Sequence, residues 1–181
     1  MRLCYVLLSP TLGMHRYTAD LANRMQAAGD EVHVITTRRA PRDRYSPAVA
    51  LHTLVSTATT GFSLEGLNPR APRICKKLQV TASRLQPDLV HLTGPHLWNP
   101  WLLQSLRQAG IPTVHTLHDL HPNVGTVYGR LLYLWNGWVR HRAGHLLVHG
   151  QCHRQELVAQ GLDSADVTCT PLTHLFVSHA R

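Results

Sequence analysis

Short apolar runs alternate along this chain with segments whose apolar residues recur every three or four positions, and glycines close several of those segments. That alternation restricts the fold more than any other feature. Residues 2–8 form a mostly apolar run, the pattern of a strand covered on both faces. From His15 to Ala28 the residues Tyr17, Leu21, Met25 and Ala28 recur at helical spacing, and Gly29 supplies a left-handed stop. Glu31 to Thr36, with Val32, Val34 and Ile35, is a second strand. A strand–helix–strand unit therefore stands complete within the first thirty-six residues, and it implies parallel pairing through a crossover. The pattern continues. Strands are expected at Ala48–Val55, Leu89–Leu92, Ile111–Leu117, Leu146–His149 and Val167–Thr170. Helices are expected at Arg73–Leu85, from Asn99 to a stop at Gly110, at Thr126–Ala143, and from Gln151 to Gln160 before Gly161. Asn99-Pro100 is a helix start, because Asn caps free N–H groups and Pro fits the first turn. Residues 37–47 and 57–72 read as loops. Strands regularly separated by helices predict an α/β fold, a doubly wound and mainly parallel sheet, in one domain over residues 1–181.

Composition agrees. Apolar residues make up 44% and charged residues 15%, which excludes a disordered chain. No apolar run approaches the ~20 residues of a membrane span. Ser9-Pro10 ends the N-terminal run and no small-x-small site follows closely, so that run reads as a strand and not as a signal peptide. Cys4, Cys75, Cys152 and Cys169 are scattered without a CxxC pair, which points to reduced thiols and a cytoplasmic protein. The formal charge is +8. The arginines are dispersed apart from Arg38, Arg39, Arg42 and Arg44, and Arg140 with Arg142, and are read as solvated loop and helix-end charge. No nucleic-acid partner is expected.

In such sheets ligands bind beyond the carboxyl ends of the strands, near the switch point. The residues to weigh are therefore Ser9 to Met14, Thr36 to Arg39, Thr93 to His96 and His118 to Asn123. The first loop holds only Gly13 and lacks both GxGxxG and GK[ST]. It is a glycine-containing loop feeding a helix, which suits a phosphate generically; a plain turn is the other reading. His118-Asp119 falls at the end of a strand, where an imidazole can offer a hydrogen bond or a charge to a sugar or phosphate oxygen and Asp119 can orient it. Against that stands a loop histidine capping a backbone carbonyl. Metal sets drawn from His115, His118 and His121, or from His149, Cys152 and His153, have no recognised zinc spacing. With no GxSxG and only Glu31, Glu65 and Glu156, neither a serine triad nor carboxylate-pair chemistry is well supplied.

Along Thr126–Ala143 the residues Tyr128, Leu131, Leu132, Trp135 and Val139 make one apolar stripe. Leu134 and Trp138 add a second side, and Arg130, Arg140 and Arg142 flank it. Core packing or contact with a neighbouring domain is the expectation. Aromatics beside Arg also suit a membrane interface.

Three segments together resemble glycosyltransferase family 4. MRLCYVLLSPTLGMHRYTADLANRMQAAGDEVHVITT is similar to the family's opening strand, glycine loop, helix and second strand. PDLVHLTGPHLWNPWLLQSLRQAGIPTVHTLHDLHP resembles its central stretch, and HRAGHLLVHGQCHRQELVAQGLDSADVTCTPLTH its stretch after that. The resemblance implies one half of a GT-B fold, a Rossmann-like acceptor-side domain, with the C-terminal donor-binding domain and its paired-glutamate signature absent. It implies a retaining, hexosyltransferase-like enzyme in glycan biosynthesis. The co-substrate would be a nucleotide sugar, with no cofactor and no metal, and the acceptor a sugar or a lipid-linked molecule. The missing domain or a separate donor-binding subunit would be a partner, with a peripheral contact at the inner face of the membrane. By the same resemblance His118 lines the sugar site beside Asp119, while Gly13, Met14 and Gly94 lie on the donor side. Leu12-Gly13 departs from the family's usual paired glycines. The competing expectation is a non-catalytic module that binds a phosphorylated or acidic ligand or a partner protein.

Overall fold

The computed structural model describes residues 1–9, 11–56, 68–121 and 127–172, without the side chains of Leu12 and Tyr128. Most of the expected loop at 57–72, and Pro122, lie outside those residues. The strands are β1 (Arg2–Leu7), β2 (Glu31–Thr37), β3 (Ala50–Val55), β4 (Leu89–Leu92), β5 (Thr113–Leu117), β6 (His145–Val148) and β7 (Val167–Cys169). The helices are α1 (Leu12–Ala27), α2 (Ala71–Arg84), α3 (Asn99–Gln108), α4 (Val127–Arg140) and α5 (Gln151–Ala159). All seven strands pair in parallel in the order β3-β2-β1-β4-β5-β6-β7. This is the doubly wound, Rossmann-like sheet. The strand order reverses at β1, so the switch point lies between the carboxyl ends of β1 and β4.

Alternation along the strands explains the two cores. Cys4 and Val6 of β1 face α2, α3 and α4, where Leu78, Leu103, Trp135 and Val139 are buried. Leu3 and Tyr5 face the other side, against Ala19 and Ala22 of α1 and against Val32 and Val34 of β2. Burial on both faces is why β1 reads as a nearly continuous apolar run, whereas β4 and β5 carry buried polar side chains at His91, Thr113, His115 and Thr116. Gly29, Gly110 and Gly161 have φ of 97°, 71° and 94°, the left-handed conformation that ends α1, α3 and α5.

Several element boundaries differ from expectation by one to three residues, and two of them are instructive. α1 starts at Leu12, three residues before the periodic stretch, so Gly13 and Met14 belong to its first turn and not to a loop. Gly13 is exposed there and has no side chain to mark an apolar period. β5 begins at Thr113 because Pro112 has no N–H to give a neighbouring strand, although its carbonyl accepts from Val90 N at 2.9 Å.

Candidate functional site

Four strand ends and the start of α1 meet at the carboxyl edge of the sheet. Thr11, extended at φ −69° and ψ 133°, precedes α1 without a side-chain cap, and no acidic residue occupies the first turn. One turn on, Thr18 ties the helix to the sheet. Its Oγ1 lies 2.8 Å from the Met14 carbonyl oxygen, to which it donates, and 2.7 Å from Thr93 Oγ1 just beyond β4. Gly94 follows Thr93. A Cβ built there would stand 2.7 Å from Leu7 Cδ1 and 3.4 Å from Met14 Cγ, so the absence of a side chain lets the β4 loop close on α1. Gly94 and Met14 are thus brought together, as packing partners. Gly13 differs: a Cβ there meets nothing within 4 Å and its φ is not positive, so neither crowding nor backbone conformation demands glycine.

His118 lies beyond β5 and points back across the edge. Its Nε2 donates to the Thr93 carbonyl oxygen at 2.7 Å, which requires the proton on Nε2 and leaves Nδ1 as a lone pair in the neutral ring. Burial lowers its pKa to about 4, partly offset by the Thr93 carbonyl and reinforced by His149. Tyr17 of α1 stacks edge-on against it, ring centroids 4.9 Å apart at 85°, and His149 stands 5.1 Å away at the end of β6. His149 Nδ1 donates to the Thr170 carbonyl oxygen at 2.9 Å. Beneath them, Thr116 Oγ1 lies 2.7 Å from His91 Nε2 and 3.3 Å from Tyr17 Oη. His91 is buried and its pKa falls to about 3, chiefly by desolvation. The edge is therefore an aromatic and imidazole wall in which burial keeps His118 and His91 uncharged at neutral pH.

Two expectations change. Asp119 does not orient His118. Its side chain is exposed and Oδ1 accepts from His121 N at 3.1 Å, shaping the turn, while the Thr93 carbonyl holds the imidazole. A charged His118 is also lost, because desolvation lowers its pKa to about 4 and outweighs the Thr93 carbonyl, which favours the charged ring. The other edge histidines are structural. His115 Nε2 accepts from Asn99 Nδ2 at 2.9 Å, and His96 Nδ1 accepts from Trp98 N at 3.2 Å. No group of three metal-ligating side chains occurs among the described residues. Sequence reasoning weighed His149 only within a metal set and Tyr17 only as an apolar helix position, and it passed over the backbone of Thr93. Applying the strand-end rule to β6 as well would have found His149.

The model of Glycosyltransferase Family 4 matches residues 12–172. No curated protein matches by sequence. Among solved structures, a UDP-GlcNAc 2-epimerase from Methanocaldococcus jannaschii superposes with a TM-score of 0.70 at 11% identity, over 93% of this chain and 45% of that one. The Neisseria meningitidis UDP-GlcNAc 2-epimerase bound to UDP-GlcNAc gives 0.70 at 16%, over 94% and 46%. Sucrose-phosphate synthase from Thermosynechococcus elongatus gives 0.66 at 19%, over 94% and 48%. The chain spans less than half the length of these structures, and at such identities the likeness establishes the fold.

Proposed function

The chain belongs to glycosyltransferase family 4, and from that premise we propose that it forms the acceptor-side wall of an enzyme that moves a sugar from a nucleotide sugar to a hydroxyl on a sugar or lipid-linked acceptor. The observation that supports this most is the junction of His118 with the start of α1 at the switch point, through Tyr17 and Thr18–Thr93. The first N–H groups of α1 have no side-chain cap, and the helix dipole favours an anion there. The open space at Gly13 lets a donor diphosphate approach that backbone. His118 offers Nδ1 as an acceptor for a sugar hydroxyl. In this role it positions the reactant and carries no charge, so its contribution is proximity and orientation. Met14 and Gly94 set the spacing between helix and sheet.

The donor-side contacts come from a domain outside these 181 residues or from a separate subunit. Retention of configuration and independence of metal are the parts of the proposal that rest on the family resemblance alone. The proposed reaction is cytoplasmic, at the inner face of the membrane where the acceptor is lipid-linked.

The test is nucleotide-sugar turnover by the 181-residue chain with and without a supplied donor-side domain, scoring both transfer and epimerised donor. Transfer that appears only with the second domain is the expected result. Brisk turnover by the 181 residues alone overturns the two-part account, and epimerisation without transfer overturns the reaction class.

A further inference from the structure

Two histidines face each other on the outer strands of the sheet, away from its carboxyl edge. His33 is the third residue of β2, and His52 is the third residue of β3, the edge strand. In the parallel register His33 stands beside Ala50, and His52 follows two residues later on the same face. The small Ala50 leaves the two rings room to meet. His52 Nε2 lies 3.2 Å from His33 Nδ1, with ring centroids 5.4 Å apart and planes tilted by 36°.

A carboxylate decides which nitrogen of His33 carries the proton. His33 Nε2 donates to Glu31 Oε1 at 3.0 Å, so in the neutral ring Nδ1 is a lone pair aimed at His52. Glu31 is held in turn. Arg2 Nε donates to its Oε2 at 2.8 Å, and Arg2 Nη1 donates to the Leu85 carbonyl oxygen at the end of α2 at 3.1 Å. A carboxylate behind a histidine is the arrangement that orients an imidazole toward a metal ion and raises its basicity.

The spacing of the two nitrogens selects the ion. Two nitrogens bound at ~2.0–2.1 Å to a tetrahedral ion stand about 3.3 Å apart. Neighbouring positions of a square-planar ion would hold them about 2.9 Å apart. The observed 3.2 Å fits the tetrahedral bite. Imidazole ligands suit zinc, whereas calcium and magnesium seek oxygen.

We propose that His33 Nδ1 and His52 Nε2 bind one zinc ion, with Glu31 orienting His33 from behind and water filling the other two positions. On binding, the His52 proton moves from Nε2 to Nδ1, so both rings stay neutral. A small rotation of His52, half-buried on the edge strand, turns its lone pair onto the ion. The ion clips β3 to β2, and β3 needs such a clip, because Val55 alone among its residues is buried. No group of three metal-ligating side chains occurs among the described residues, so this is a two-ligand site. Its Kd is expected at about 1–100 μM, far weaker than a four-ligand structural site. The proposal does not rest on the transferase reading, and its test reads no activity.

The experiment is calorimetric titration of the 181-residue chain with zinc, joined to the visible spectrum of the cobalt-loaded protein. One ion per chain and the intense bands of tetrahedral cobalt are expected. At free zinc near ~100 Kd the thermal midpoint should rise by about 5 °C. His33→Gln and His52→Gln should each weaken binding at least tenfold and remove that rise. Glu31→Gln should weaken binding about tenfold. His141→Gln, an exposed histidine elsewhere, should leave it unchanged. Circular dichroism checks that each variant is folded, and His52→Gln, at the half-buried edge position, carries the test if His33→Gln does not fold. No saturable binding up to about 1 mM zinc overturns the proposal. So does an octahedral cobalt spectrum, or zinc affinity that a folded His52→Gln variant retains in full.

Discussion

The imidazole of His118 gives its one ring proton to the carbonyl oxygen of Thr93, 2.7 Å away across the ends of β4 and β5. With its pKa lowered to about 4 by burial, the ring stays neutral well below physiological pH. His118→Ala in the complete enzyme should therefore cost about five- to tenfold in kcat/KM, the worth of one neutral hydrogen bond. A lost charge-stabilising donor would cost about 10²–10³ instead. The ratio of wild-type to variant activity should stay constant from pH 5.5 to 8. A ratio that changes through pH 6–7 would mean that a protonated His118 does the work. Asp119→Ala should cost about 0.5–1 kcal/mol of stability through the lost turn contact and affect the rate less than His118→Ala does.

Gly13 and Gly94 should separate ligand space from packing. Gly94→Ala drives a Cβ to 2.7 Å from Leu7 Cδ1, and Leu7 is fully buried with little room to yield. A loss of about 1–3 kcal/mol in urea unfolding is expected. Gly13→Ala meets nothing within 4 Å. It should leave stability unchanged or raise it by about 0.5–1 kcal/mol, since glycine is the poorer helix former. In the complete enzyme the same change should weaken nucleotide-sugar binding by calorimetry. Unaltered binding would mean that no ligand comes close to the start of α1.

Stability should fall on mild acidification. His91 and His115 have pKa values lowered to about 3, and His96 and His118 to about 4, in each case chiefly by burial. The unfolded chain binds these protons near pH 6.5. Below that pH the unfolded state therefore holds protons that the native state refuses, and each histidine withdraws about 1.4 kcal/mol per pH unit until its folded pKa is reached. The stabilisation is complete above pH 6.5 and is lost progressively toward pH 3–4. Urea midpoints should be flat from pH 8 to 7 and drop steeply from 6.5 to 5. A flat profile down to pH 5 would show that these rings are protonated in the native protein.

The alternation of strands and helices was legible in the sequence because its causes are local. A helix repeats every 3.6 residues, a buried strand is apolar throughout, and Gly29, Gly110 and Gly161 end their helices by a backbone conformation that their own φ angles display. The position of His118 at a strand end followed from the same pattern. Its protonation state did not, because the burial that lowers its pKa, and the Thr93 carbonyl that holds the proton on Nε2 from 25 residues earlier in the chain, arise only when β4 pairs with β5. Asp119 was misread for the same reason: adjacency in sequence implied a partner, while the turn after β5 carried the carboxylate to His121 N. The case of α4 is the clearest. Periodicity grouped Leu131 with Leu132, Trp135 and Val139, yet Leu131 is 51% exposed and the other three are buried. A sequence period tells which side chains share a face of a helix. Which face meets the sheet depends on the helix's rotation against β4, β5 and α3, and only the packed tertiary structure sets that angle.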